Sequence, residues 1–594
     1  MLKFPYGISN YYRIVTENYF YVDRSSHISL IEDAGDQLLF LRPRRFGKSL
    51  LLSMLENYYD VAKADEFDKL FGHLAIGKNP TPKHNKYLIM KWDFSVIKTH
   101  NAIIDIEHSL NNHINNTIKS FANRYQHLFK YQIEIDSNDA ISSFESSLIA
   151  IQGSGYRLYL LIDEYDNFAN EVMMGNAEIS NSRYDALTSA ESSLKTLFKT
   201  VKSAASGRGL ERVFITGVSP VFMTDITSSY NVAKNIYLRP EFNDLCGFRE
   251  SELASIVNNI AKECDLNSTK AEQALTLMKK FYDGYCFNYR KTEDIYNPTL
   301  ALYFLENFQQ DCQFPRQMLD DNLAMDRGKL SYISSLLNGE SIIFQALNET
   351  PALTLFELAN RFGVKDMLTA NKDMKFTVSL LYYLGILTLN GENEFGKLCF
   401  KIPNLVVRKL YVERIFEMFL PQSPEREKVR LLAESFYQSG DLQPLCDFME
   451  QRYLRVFDNR DYKAANELTI KTAFLTALFD DVFYIMDSEM PAQRRYTDLT
   501  MILRPEQRKY PLKDFLFEFK YLKLSEVNLS GEEVKQLSIE ELKNLEAVTD
   551  KIAEAETQLL NYQTRLESKY KDLRLQLISV VAVGFERVVW QTTL

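Results

Sequence analysis

Leu38-Leu39-Phe40-Leu41-Arg42-Pro43-Arg44-Arg45-Phe46-Gly47-Lys48-Ser49 decides how the first part of this 594-residue chain is read. Residues 38–41 are a short apolar run of strand type, and residues 50–60, LLLSMLENYYD, carry apolar side chains at helical spacing. A Gly-Lys-Ser between a strand and a helix is where a phosphate loop belongs, because backbone amides and a helix N-terminus face an anion there. In that reading Arg45, Phe46, Gly47 and Leu50 supply the loop and the start of the helix. Lys48 reaches the β- and γ-phosphates, and Ser49 ligates Mg²⁺. The full pattern has a glycine five residues before Gly47, and Arg42 stands there instead.

Working outward, residues 86–95 read as a second strand ending near Asp93, followed by a helix over about 104–123. Residues 156–168, YRLYLLIDEYDNF, are a buried strand running into Asp163 and Glu164. A helix over about 191–205 and a strand over 212–220 follow. Apolar strands separated by helices predict a parallel sheet with crossovers, hence an α/β P-loop domain. At the carboxyl edge of such a sheet Asp163 would hold the Mg²⁺ shell and Glu164 would polarise the attacking water. Thr216 occupies the place of a sensor residue. The two signatures in this order predict ATP or GTP binding. Arg208, Arg212 and Arg239 are the candidates for an arginine finger.

The pattern changes further along, which predicts four regions: a P-loop domain over 1–245, a mainly helical lid and winged-helix region over 246–419, a helical bridge over 420–464, and a mixed α/β domain over 465–594. In the last region residues 481–489, 496–503 and 514–522 are strand-like, a charged helix spans about 530–570, and 575–585 is a final buried strand. That region also gathers carboxylates in order: Glu489, Asp498, then Glu518 and Lys520 two residues apart on one strand face. Clustered carboxylates hold Mg²⁺ or Mn²⁺, which acidifies water and stabilises a phosphorane-like transition state, and a lysine orients that water or neutralises charge. Asp498 and Glu518 are the proposed metal ligands here, as Ser49 and Asp163 are in the P-loop domain.

Composition narrows the choices. Apolar residues make up 46% and charged residues 25%, as in ordinary globular proteins. The net charge of −10 excludes a protein that coats nucleic acid, while residues 504–523 carry a local excess of three positive charges that could meet phosphates. All seven histidines lie at or before His127, which excludes a histidine-based metal site or a serine or cysteine triad later in the chain. The six cysteines form no C-x-x-C pair and read as free thiols of a reducing compartment. No signal peptide or membrane span is read, so the expectation is a cytoplasmic protein, an unusual secretion signal lying outside this test.

RPRRFGKSL, LIDEYDN, FITGVSP, YDGYCF (282–287) with YNP (296–298), and IPN (402–404) together resemble the AAA-ATPase-like family, whose members are often fused to a PD-(D/E)XK nuclease domain. The Arg-Pro-Arg-Arg-Phe-Gly-Lys loop recurs in that family. The resemblance implies that Tyr282, Asp283, Tyr285, Tyr296 and Asn297 pack and cap the helical region rather than do chemistry. Gln558 and Tyr562, one helical turn apart, resemble the Gln-x-x-x-Tyr element of one nuclease branch, which implies a place for both in the catalytic set. That branch often has Gly-Arg before the aspartate, where this chain has Arg494-Arg495-Tyr496-Thr497. The expected function is an ATP-binding Mg²⁺-dependent nuclease acting on DNA or RNA. The alternatives are a nucleotide-switched interaction protein, with a protein partner or a second copy of itself, and an ATPase whose nuclease fold only docks nucleic acid. No membrane partner is expected.

Overall fold

The computed structural model describes residues 1–97, 103–167, 193–220, 232–319, 327–334, 339–348, 352–359, 373–454, 467–487, 498–570 and 572–593. The chain packs into two compact units: residues 1–313, 332–342 and 352–404 in one, and 314–331, 343–351 and 405–594 in the other.

The first unit is built on β1 (Gln37–Leu41), β2 (Tyr87–Asp93), β3 (Arg157–Asp163), β4 (Leu210–Gly217) and β5 (Lys234–Asn235), ordered β2-β3-β4-β1-β5. Every pair is parallel. Both faces of the central strands are apolar because the crossover helices, among them Lys48–Tyr59, Ile103–Tyr125 and Ser193–Ala205, cover both sides. The expected P-loop α/β fold is present. Parallel register aligns the carboxyl ends: Phe40 lies beside Thr216, and Asp93 beside Asp163.

The rest of this unit is helical, with Glu250–Glu263, Ser268–Tyr282 and Pro298–Asp311. The helix Met374–Tyr383 then leads into β7 (Thr388–Glu392) and β8 (Leu398–Lys401), and β6 (Leu353–Leu355) pairs with the far side of β8. Asn297 caps the helix Pro298–Asp311 by accepting from the N–H groups of Thr299 and Leu300. Asn404 donates to the carbonyl of Asp283 at 2.9 Å, so the YDGYCF and IPN motifs form one packed turn. Gly284 has φ +96°, and a Cβ there would stand 2.0 Å from the Pro403 carbonyl oxygen. Gly284→Ala should therefore destabilise the protein by about 3 kcal/mol, read from denaturant unfolding, since it combines a left-handed backbone with a backbone clash.

Cys264 and Cys312 are joined as a disulfide, correcting the expectation of six free thiols. They cap the C-terminal ends of two helices that pack together, an adjacency that their separation of 48 residues hides. Cys246, Cys286, Cys399 and Cys446 are free. Among the described residues no helix is long and apolar enough to cross a membrane.

The second unit holds a mixed sheet of β9 (Tyr484–Asp487), β10 (Leu499–Leu503), β11 (Asp514–Leu522), β12 (Leu575–Val583) and β13 (Arg587–Thr593), ordered β13-β12-β11-β10-β9. β11 and β12 are parallel, and the other pairs are antiparallel. β12 is not the last strand: a tight turn at Gly584 returns the chain as β13, on which Trp590 is half-buried and donates to Gln443. The expected single charged helix is three, Gly531–Gln536, Ile539–Lys543 and Glu546–Lys569, because Ser530 and Ser538 each start a capping box with Glu533 and Glu541. Residues 423–439 belong to this unit, where Phe436 lies 4.4 Å from the Phe515 ring.

Candidate functional site

The phosphate loop sits at the carboxyl end of β1. Gly47, at φ +89°, turns the chain into the helix Lys48–Tyr59, a conformation that glycine adopts without cost. The Lys48 ammonium is buried and donates to the carbonyls of Arg42 and Pro43, at 3.1 Å each. Arg42 is a buried strut. Its guanidinium donates to the carbonyls of Leu41, Tyr237 and Phe242, and lies 4.0–4.4 Å from the Phe287 and Phe40 ring centres. Burial pulls its pKa down to about 10, which leaves it charged at neutral pH. The loop is braced at three further points. Phe46 packs edge-on to Tyr285 and Phe287, the Thr299 hydroxyl donates to the Arg45 carbonyl at 2.8 Å, and Gly385 lies against Pro43. Tyr285 thus packs, as the motif implied, and what it packs against is the loop.

Asp163 ends β3 and accepts a 2.6 Å hydrogen bond from the Thr216 hydroxyl across the sheet. Glu164, next in the chain, is held at φ +51°, rare for a residue with a Cβ. Burial pushes its carboxyl above the usual range, Asp166 and Asp163 add to this, and Lys48 and Arg44 oppose it. Arg45, Phe46, Gly47, Lys48, Ser49, Leu50 and Glu164 all line one cleft of about 390 Å³. Ile8, Phe20 and Leu302 add apolar lining to the same cleft. The donors fit a Mg²⁺ nucleotide: an ammonium and a helix N-terminus for phosphate, and the Ser49 hydroxyl and Glu164 carboxylate for a hard cation. Asp163 and Thr216, both buried, are not among the residues that line the cleft.

None of the arginine-finger candidates lines the cleft. Arg208 pairs with Glu145, and Arg212 is fully buried, donating to Asp36 and the Gly35 carbonyl. Arg208 precedes β4 and Arg212 lies near its amino end, about 13 Å of strand from Thr216. Arg239, after β5, lies 3.8 Å from Glu241.

In the second unit β11 is the central strand, and its acidic and basic side chains are inside. Glu518 and Lys520 are 3% and 4% exposed, so neither faces solvent. Leu499 pairs with Phe517, so continuing this antiparallel register by one residue sets Asp498 opposite Glu518. Asp498 accepts the Phe519 N–H at 2.8 Å. Lys520 donates to Glu518 at 2.9 Å and to Gln558 at 3.1 Å. Tyr562, one turn beyond Gln558, packs among Ile502, Leu516 and Leu577. Glu489 lies outside the described residues.

Three members of this cluster were not read from the sequence. Glu467 begins the helix Glu467–Ala477, and Lys471, one turn on, places its ammonium 3.9 Å from Asp498. Glu554, one turn before Gln558, is 3.6 Å from Lys520. Burial pushes the Glu467 carboxyl up, Lys520 opposing and Asp498 reinforcing. Asp498 is also raised by burial, against Lys471, the Phe519 N–H and Lys520. Burial draws the Lys520 ammonium down, yet Glu518, Glu467 and Asp498 carry it above its ordinary value. The clue available in the sequence was the i, i+4 spacing of Glu467 and Lys471 on a helix otherwise uncharged.

Glu518 is the most perturbed. Burial pushes it up to about 8, with Asp498 adding and Lys520 opposing, and its Oε2 has no hydrogen-bond partner. Among the described residues no three His, Cys, Asp or Glu side chains are grouped to hold a metal. Two facing carboxylates with an unsatisfied oxygen nonetheless fit Mg²⁺, which keeps several waters and needs only one or two protein carboxylates. Without metal the proton takes that role. Because the folded carboxyl holds its proton above the unfolded carboxyl range, the folded state binds more protons between about pH 4.5 and 8, and stability falls as pH rises through that window. Glu518→Gln should remove that loss, making the metal-free protein more stable than wild type at pH 8 by about 2 kcal/mol, with less gain at pH 5. Urea unfolding at the two pH values checks this.

The basic strip over 504–523 is largely committed inside the fold, which corrects its reading as a phosphate surface. Arg504 is fully buried and donates to the carbonyls of Pro315, Arg316 and Asp481. Arg508 pairs with Asp514 at 2.9 Å, and Lys513 donates to Gln576. Lys509 and Lys523 stay at the surface.

Residues 5–227 match the model of a predicted AAA-ATPase family, and residues 465–592 match that of the PD-(D/E)XK nuclease superfamily. A curated relative, an uncharacterized protein in the vnfD 5′ region of Azotobacter chroococcum, is 22% identical over 431 residues, 71% of each chain. Among solved structures, the Walker-type ATPase PABY2304 of Pyrococcus abyssi aligns over 65% of this chain and 94% of its own, at 13% identity and a TM-score of 0.38. The ORC2 protein of Aeropyrum pernix aligns over 69% and 98%, at 12% identity and a TM-score of 0.31.

Proposed function

We propose that this chain, an AAA-ATPase-like domain followed by a PD-(D/E)XK nuclease superfamily domain, is an ATP-binding, Mg²⁺-dependent phosphodiester hydrolase acting on DNA or RNA. The observation that carries the reading is the Asp498–Glu518–Lys520–Gln558 cluster, in which Glu518 and Lys520 are buried on the central strand and half-buried Asp498 and Gln558 meet them from beside β10 and from the helix Glu546–Lys569. Burying a carboxyl and an ammonium in a sheet core costs stability, and the arrangement suits a metal and a phosphate better than it suits packing.

In this reading Asp498 and Glu518 hold Mg²⁺, which when bound acidifies water and neutralises charge on the phosphate. Lys520 stays protonated through its carboxylate neighbours and donates toward the attacked phosphate or its water. Gln558 fixes the Lys520 side chain by accepting one of its three protons, so that the ammonium is positioned before substrate arrives. In the first unit Lys48 and the loop amides would hold the ATP phosphates, Ser49 and Asp163 its Mg²⁺, and Glu164 the water for hydrolysis. The apolar lining from Ile8, Phe20 and Leu302 suits the base. ATP binding would then license cleavage.

The test is direct. Purified full-length protein is incubated with Mg²⁺ or Mn²⁺, with and without ATP, and with single- and double-stranded DNA and RNA. Metal-dependent cleavage is expected on at least one substrate. Salt-sensitive binding with no cleavage on any of them would favour the docking alternative instead.

A further inference from the structure

The described charges around β11 do not stop at the two carboxylates and Lys520. Lys471 is buried, 6% exposed, and its ammonium lies against Asp498 Oδ1 at 3.9 Å, while Lys520 takes Glu518 Oε1 at 2.9 Å. Each carboxylate thus has a lysine of its own, from a different element: Lys471 from the helix Glu467–Ala477 and Lys520 from β11. Around them Glu467 faces Lys520, and Glu554 is shared between Lys520 and Lys551, the latter at 2.6 Å. Glu467, Glu554 and Lys551 stand on the solvent side of the cluster. The inner groups are two carboxyls, Asp498 and Glu518, against two ammoniums, Lys471 and Lys520.

The geometry points to a site for a single divalent cation, with the Lys471 ammonium standing on Asp498 where a second metal ion would otherwise bind. This rests on the nuclease reading and sharpens it. With both carboxyls ionised the inner groups balance, so one divalent cation, displacing the Glu518 proton, would leave two positive charges, which suits a phosphodiester. Two would leave four positive charges in a confined site with too few acceptors, at high desolvation cost. Lys471 in this account competes with a cation for Asp498, and its ammonium repels a second cation at close range.

The two roles open to Lys471 predict opposite results. A purely structural strut, once removed, would loosen Asp498 and weaken metal binding. A built-in competitor, once removed, would strengthen it. Mn²⁺ binding to the nucleotide-free full chain is measured at pH 7.5 by calorimetry and by electron paramagnetic resonance, for wild type, Asp498→Asn, Lys471→Gln and Lys471→Arg. The wild type should bind one Mn²⁺ more than Asp498→Asn. Lys471→Gln should bind Mn²⁺ tighter by about tenfold, and Lys471→Arg should stay near wild type, since it keeps the charge. A difference of two ions between wild type and Asp498→Asn, or unchanged or weaker binding in Lys471→Gln, would overturn the single-ion inference alone. A difference of zero would overturn the metal-ligand role of Asp498, and with it the nuclease reading beneath. The ion count is read on wild type, so it decides whatever Lys471→Gln does to folding.

Discussion

Lys48→Ala should lower ATP affinity by at least about a hundredfold, measured by titrating a fluorescent ATP analogue into the full-length protein. The ammonium is almost fully buried at the floor of the cleft, within reach of Ser49 and Glu164, and it donates to two loop carbonyls. Those bonds hold it ready for phosphate. An ion pair to a phosphate in such a site contributes about 3 kcal/mol or more, which is two decades of affinity. The loop should survive the substitution. Its shape is fixed by the Arg42 guanidinium, by Phe46 between Tyr285 and Phe287, and by the Thr299 bond to the Arg45 carbonyl. The loss is thus one of binding rather than of folding, and an unchanged melting temperature beside the lost affinity separates the two. Intact binding in Lys48→Ala would refute the phosphate-loop assignment.

The same loop marks where sequence reading works and where it stops. The strand, the Gly-Lys-Ser turn and the helix were legible because they are local: an apolar run, a positive-φ glycine and a 3.6-residue period lie within 25 residues. Thr216 and Asp163 could be placed together because parallel strands end on one edge. The role of Arg42 could not be read. Its partners are carbonyls 195 to 200 residues away, and carbonyls carry no signature in a sequence. The basic strip misled for the same reason, since Arg504 spends its charge on the carbonyls of Pro315 and Arg316. In the second unit Asp498 and Glu-x-Lys were legible as strand residues two-fold in phase, and Gln558 came with a family resemblance. Glu467 and Lys471 were missed because a helix preceding its sheet has no readable azimuth: only packing decides which turn faces Asp498.

Asp498→Asn should reduce phosphodiester cleavage by about a thousandfold or more while leaving ATP binding unchanged. The substitution is nearly isosteric, and its amide oxygen can still accept the Phe519 N–H, the bond that ties Asp498 to β11. What disappears is the charge. Asp498 faces Glu518 across the β10–β11 register, and its negative charge is one reason the Glu518 carboxyl is pushed up to about 8. Removing it has two consequences of opposite sign. Glu518 loses a like-charged neighbour and ionises more easily, which favours a cation. The cation loses one of its two protein carboxylates, which disfavours it far more, because a hard divalent ion in a buried site is held by anionic oxygen. The remaining Glu518–Lys520 pair can still satisfy itself, so the variant should fold and simply lack the metal-dependent chemistry. Cleavage is read on the substrate that wild type degrades best, with ATP affinity measured on the same preparation. Because the phosphate loop lies in the other compact unit, loss of both together would indicate a folding defect, and loss of cleavage alone is the expected result. Wild-type cleavage by Asp498→Asn would remove this cluster from the chemistry altogether.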